Sequence, residues 1–93
     1  MSGTTRSSAG LDPRKKRLLF HTWHRGTREM DLLLGRFADA TIDAWSEEDV
    51  AEMEALMSVP DPELYAWITE QADIPENHQS AVLSRVIAFH KAG

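Results

Sequence analysis

The 93-residue chain has no cysteine, which excludes a disulfide scaffold and any thiolate-held zinc or iron–sulfur site. A reducing compartment is permitted by that absence, not required by it. Long apolar runs are also missing: none approaches the ~20 residues that span a bilayer, so no direct membrane insertion is expected. Residues 1–10 are small and polar, without the apolar stretch of a secretory signal, and with one Arg they make a poor mitochondrial transit peptide. The compartment expected is therefore the bacterial cytoplasm. Length is the next shortage. A chain this short buries only roughly 60–65% of its unfolded surface, enough for one modest core and no enclosed catalytic cavity. There is no Gly-x-Ser-x-Gly elbow and no phosphate-cradling glycine loop, so no catalytic residue is assigned and the chain does not read as an enzyme.

Cations are scarce beyond the first third. Residues 1–36 hold eight Lys/Arg against three acids, whereas residues 37–93 hold two cations, Arg85 and Lys91, against twelve acids; the net charge is −5. Most of such a chain repels phosphate, which argues against a nucleic-acid partner. Charge of both signs, segregated along the chain, suits a protein partner with patches of both signs.

Punctuation by Asp-Pro, Gly and Ser predicts an all-α fold, a compact five-helix bundle. A disordered tail is expected over residues 1–11 and a single domain over 12–93. Asp12-Pro13 starts a first helix that runs to about His24, with Leu18, Leu19 and Trp23 on one face. A second begins within Gly26-Thr27-Arg28-Glu29 and ends near Ala44, placing Met30, Leu33, Leu34, Phe37, Ala38 and Ile42 at helical spacing. Ser46-Glu47-Glu48-Asp49 opens a third as a capping box with Asp in place of Glu, and Pro60 closes it. Asp61-Pro62 starts a fourth that ends near Gln71, and Ile74-Pro75-Glu76-Asn77 precedes a fifth with Val82, Leu83, Val86, Ile87 and His90 inward.

Few residues invite chemistry. His21 and His24 are three apart, but zinc needs three or four ligands, and His78 and His90 lie elsewhere without a carboxylate partner, so no metal is expected. The acidic run from Glu47 to Glu54 reads as a solvated helix face whose first turn complements the helix dipole. The junction Arg25-Gly26-Thr27-Arg28-Glu29 stands apart. Gly26 can take positive φ and admit another backbone, and Glu29 can satisfy an orphan N–H in the first turn. Arg25, Arg28 and Arg36 cluster within twelve residues. Spacing alone leaves open whether this is an exposed binding surface or a Gly-terminated helix followed by a well-charged first turn.

At these residues the chain resembles the SdhE family of FAD assembly factors, called succinate dehydrogenase assembly factor 2 in mitochondria, whose hallmark is Arg-Gly-x-x-Glu. Arg25, Gly26 and Glu29 match it, flanked by Arg17-Leu18-Leu19-Phe20 and by Met30 through Ala38. The segment Asp61-Pro62-Glu63-Leu64-Tyr65-Ala66-Trp67 resembles the family again, and the likeness covers about residues 12–90. Thr27 stands where the family often has Met, and Glu70 where Gly is common.

The resemblance implies a five-helix chaperone, monomeric when free, that promotes covalent attachment of FAD to the flavoprotein subunit of succinate dehydrogenase, and in some bacteria of fumarate reductase. The flavin bond is formed within the flavoprotein, so the implied helper supplies no nucleophile and holds no cofactor of its own. It acts by ordering the partner. Arg25 and Glu29 would then give directional contacts to the partner, Gly26 would allow close approach, and Arg28, Asp31 and Arg36 would flank them. Two other classes compete: an antitoxin-like interaction module that neutralises a membrane toxin, and a free flavin binder using Trp23, Trp45 and Trp67, which would lack a phosphate cradle.

Overall fold

Asp12 opens the first helix as the sequence pattern requires: its carboxylate accepts the backbone N–H of Lys15 at 2.9 Å, and Pro13 occupies the first helical position. The structure, a computed structural model, describes residues 10–93. The predicted tail falls largely on residues 1–9, outside the described residues, while Leu11 packs against the core. Helix α1 spans Pro13–Trp23, α2 Arg28–Thr41, α3 Glu47–Met57, α4 Asp61–Ile68 and α5 Ala81–Lys91. No strand occurs among the described residues. The all-α, five-helix expectation holds. None of these helices is long and apolar enough to cross a membrane.

Helix α1 packs on α2 and α3, while α5 lies against α2, α3 and α4. Between them sits one core that includes Leu34, Phe37, Ile42, Met53, Leu64, Ile68 and Val82, with all three Trp at its margins. Charged ties fasten its edges. Arg14 of α1 reaches Glu54 of α3 with two bonds of 3.1 and 2.6 Å, and Arg85 of α5 meets Asp49 of α3 at 2.9 Å.

The capping box at Ser46 and Asp49 is present in both directions. Four other boundaries differ from the sequence expectation. Helix α2 stops at Thr41, and Ile42–Ala44 tightens to a 3-10 turn. There the Thr41 hydroxyl donates to the Phe37 carbonyl at 2.7 Å and accepts the Trp45 indole N–H at 2.8 Å, which draws the chain round. Helix α4 ends at Ile68 rather than near Gln71, because Glu70 takes a φ of +61° and the N–H groups of Gln71 and Ala72 turn back to the Ala66 carbonyl. Asp61 is the first helical residue of α4, with Pro60 as the cap, so its carboxylate is left for another use.

Pro75 begins only a 3-10 turn, Glu76–His78, and α5 starts at Ala81. Ser80 accepts the Leu83 N–H at 3.1 Å while Glu52, reaching across from α3, accepts the N–H of Val82 at 3.0 Å. The acidic run is thus only partly a solvated face: Glu52 caps a neighbouring helix and Asp49 holds Arg85. His90 is exposed rather than inward, since the helical register gives Val86 to the core and leaves Phe89 to meet Phe37 edge-on, ring centres 5.7 Å apart.

Candidate functional site

Four residues, His24–Thr27, turn the chain from α1 to α2. Gly26 makes the turn at a φ of +106°, a backbone region that side-chain-bearing residues rarely enter, and a Cβ built there would point into open space. Thr27 caps α2 by accepting the Met30 N–H at 3.3 Å. Asp31, one turn on, accepts the backbone N–H of Arg25 at 2.7 Å and so ties the start of α2 back to the turn.

The Arg25 side chain leaves this turn and crosses to the α3–α4 junction. Nη1 donates to the Met57 carbonyl and Nη2 to the Val59 carbonyl, each at 2.7 Å; Nε donates to Asp61 Oδ1 at 2.8 Å, and Nη2 lies 2.5 Å from the same oxygen. Only 11% of the side chain is exposed. Two helix ends explain the placement. The Met57 carbonyl ends α3 and the Val59 carbonyl follows two residues beyond it, both outside the helical ladder, so a planar cation with several donors satisfies them. Asp61, in the first turn of α4, is favoured there by the opposite end of that helix's dipole and completes the pair.

The six residues singled out by sequence are therefore split by the fold. Arg25 spends its guanidinium inside the molecule, and Asp31 is half-buried beside it. Gly26, Arg28, Glu29 and Arg36 are exposed. Gly26, Arg28 and Asp31 border a shallow depression of about 670 Å³ that also touches Trp23 and Leu32. Around the other side of α2, Glu29 and Arg36 line a groove of about 550 Å³ with Leu32, Leu33, Tyr65 and Phe89. Glu29 also borders a smaller hollow of about 350 Å³ with Asp61, Pro62 and Tyr65. It stands on the ridge between two concavities.

Three apolar side chains on the groove escaped the sequence reading as site residues. Leu32, Tyr65 and Phe89 are each 36–39% exposed, an unusual cost for large hydrophobic groups around a core this small. A signal existed for Tyr65: Leu64, Trp67 and Ile68 are buried, and helical spacing turns the residue between them outward. Phe89 had none, since only the tertiary packing of α5 on α2 brings it beside Arg36. The histidines lie elsewhere. His24 stacks on the exposed Phe20 ring at 3.9 Å and its Nδ1 donates to the Phe20 carbonyl at 2.7 Å. Among the described residues no group of three or more His, Asp or Glu side chains is arranged to hold a metal ion.

Comparison with known proteins gives this surface a context. The family described as flavinator of succinate dehydrogenase matches residues 16–90, which takes in α2 to α4 whole and most of α1 and α5. The chain belongs to that family. It is 38% identical over 77 residues to the FAD assembly factor SdhE of Acetobacter pasteurianus, covering 83% of this chain and 71% of that protein. It is 36% identical over 76 residues to the mitochondrial succinate dehydrogenase assembly factor 2 of Dictyostelium discoideum, covering 82% of this chain and 54% of that one. The corresponding protein of Debaryomyces hansenii is 35% identical over 69 residues, 74% of this chain and 49% of its own length. The chain thus spans about half the length of these mitochondrial relatives. No solved structure matches it significantly.

Proposed function

We propose that this protein is an assembly factor that promotes covalent flavinylation of the succinate dehydrogenase flavoprotein subunit, with fumarate reductase as a further client in bacteria that make it. It works as a monomer in the bacterial cytoplasm and forms a transient complex with the flavoprotein. The single observation that supports this best is the surface of α2: Glu29 and Arg36 lie two turns apart beside a groove walled by Leu32, Tyr65 and Phe89, all in a chain of the flavinator family. An apolar floor between charges of opposite sign can both bury partner surface and fix its orientation.

The chemistry asked of such a helper is positional. Covalent attachment needs a partner histidine to meet the flavin methyl while negative charge grows on the ring, and holding mobile partner segments in place lowers that barrier without any group from the helper entering the reaction. FAD belongs to the partner in this reading; the chain holds no cofactor and acts as a chaperone, not as an enzyme. Glu29, Arg28 and Arg36 make the charged contacts, and Gly26 allows the partner backbone to approach.

The test is the covalent flavin fluorescence, after acid denaturation, of the flavoprotein subunit produced with and without this protein. A rise in its presence is expected. No change for succinate dehydrogenase or fumarate reductase flavoproteins overturns the proposal.

A further inference from the structure

The two segments that carry the family resemblance, the Arg25–Glu29 turn and the stretch from Asp61 to Trp67, are 32 or more residues apart in the chain yet meet through one side chain. We infer that Asp61 is a positioning residue for the partner surface: it acts through Arg25 to set where Glu29 stands relative to Tyr65. The inference rests on the proposed assembly role. Asp61 does not need to touch the partner, because its carboxylate is only 21% exposed and is occupied by the guanidinium.

The geometry gives a continuous path. Asp61 Oδ1 accepts from Arg25 Nε, the Arg25 backbone N–H donates to Asp31 on α2, and the N–H of Asp31 donates to the carbonyl of Thr27, the cap of α2. Glu29 lies between Thr27 and Asp31 on that first turn. Tyr65 lies one turn beyond Asp61 on α4, and Glu29 and Tyr65 share both the groove and the smaller hollow. The α1–α2 turn contains a glycine at positive φ and so has little stiffness of its own. Its register against α4 is supplied by the Arg25 fork, which binds the carbonyls of Met57 and Val59 through its terminal nitrogens and Asp61 through Nε and Nη2. Without the Asp61 carboxylate the guanidinium still has the Met57 and Val59 carbonyls, but its link to α4 is gone. A site held a fraction of an ångström too loosely loses much of its effect.

The experiment is a double-mutant cycle of Asp61→Ala and Glu29→Ala, read as affinity for the purified flavoprotein subunit by calorimetry, at a temperature where every variant is folded. Val50→Ala, a core truncation in α3 remote from the groove, serves as a control for lost stability alone. Asp61→Ala is expected to weaken binding about tenfold, within the range of coupled neighbours. The double variant should bind no worse than Glu29→Ala, while Val50→Ala binds as wild type. Amide exchange at Thr27 through Asp31 in the isolated protein should speed up in Asp61→Ala and not in Val50→Ala. Full additivity, undiminished binding by Asp61→Ala, or unchanged exchange in the turn overturns the inference. If Asp61→Ala does not fold, Arg25→Lys, which leaves a cation for Asp61 but not the three-way fork, takes its place in the same cycle. Failure of the wild-type chain to bind the subunit defeats the assembly reading instead, and the exchange measurement still decides whether Asp61 orders the turn.

Discussion

Gly35 of α2 lies directly under the indole ring of Trp23 of α1. A Cβ at position 35 would overlap ring atoms Cδ2 and Cε2 and sit 2.7 Å from Cε3. The ring itself is held, its N–H donating to Asp39 at 3.2 Å, so it cannot swing away freely. In an open helix Gly→Ala would gain roughly 0.5–1 kcal/mol. Here overpacking costs about 1–3 kcal/mol and wins. Gly35→Ala is expected to lower stability by about 1–2 kcal/mol in denaturant unfolding. An increase would mean that α1 and α2 separate without penalty.

Glu70 presents the opposite case. It takes a φ of +61° at the end of α4, where the family resemblance marks a common glycine. A side chain in the left-handed region costs roughly 1–2 kcal/mol. The ion pair that Glu70 makes with Lys91 at 3.1 Å is more than half exposed and offsets little of this. Glu70→Gly should therefore raise stability by about 0.5–1 kcal/mol. A loss of stability would show that the Lys91 contact outweighs the backbone strain.

Glu29 separates stability from function. It is exposed and its side chain makes no hydrogen bond or ion pair with the described residues, so Glu29→Ala should change unfolding free energy by no more than about 0.5 kcal/mol. Covalent flavin yield in the partner should nevertheless fall. Gly26 needs a paired comparison, because any side chain at φ +106° strains the turn. Gly26→Ala and Gly26→Arg should lose similar stability, about 1–3 kcal/mol. Flavinylation should fall further with Arg, whose bulk projects into the open space that a partner backbone would use. Equal yields from the two variants would confine the role of Gly26 to the turn itself.

The fold was legible where one helix carried its own signal. Asp12-Pro13, the Ser46–Asp49 box and the apolar spacing in α2 each specify local geometry, and all three appear as read. Boundaries were missed where a distant residue decided them: Glu52 sets the start of α5 from another helix, and Thr41 ends α2 by holding Trp45. The site divided along the same line. Gly26 at positive φ follows from its position between two helices, but the inward course of Arg25 depends on where α3 ends, 32 residues away. Exposed charge was the natural sequence reading of an arginine beside a glycine turn. The carbonyls of Met57 and Val59 and the carboxylate of Asp61 claim it instead.

Acid sensitivity should trace to two pairs on α3. Hydrogen bonding from Arg85, then from the Ser46 backbone, holds Asp49 below the usual carboxylate range, and hydrogen bonding from Arg14 does the same for Glu54. A carboxylate with a depressed folded-state pKa stabilises the fold above its unfolded pKa, near 4, and ceases to do so as pH falls through the lower folded value. Both pairs are nearly half exposed on the arginine side, so the effect is modest and weakened by salt. Unfolding midpoints of the wild type and of the Arg14→Gln/Arg85→Gln double variant should differ at neutral pH and converge below about pH 3. The wild type should keep some acid dependence that the variant shares, because Ser46 still bonds Asp49 in both. A gap that stays constant from neutral pH into acid would show that the arginines contribute by packing rather than by charge.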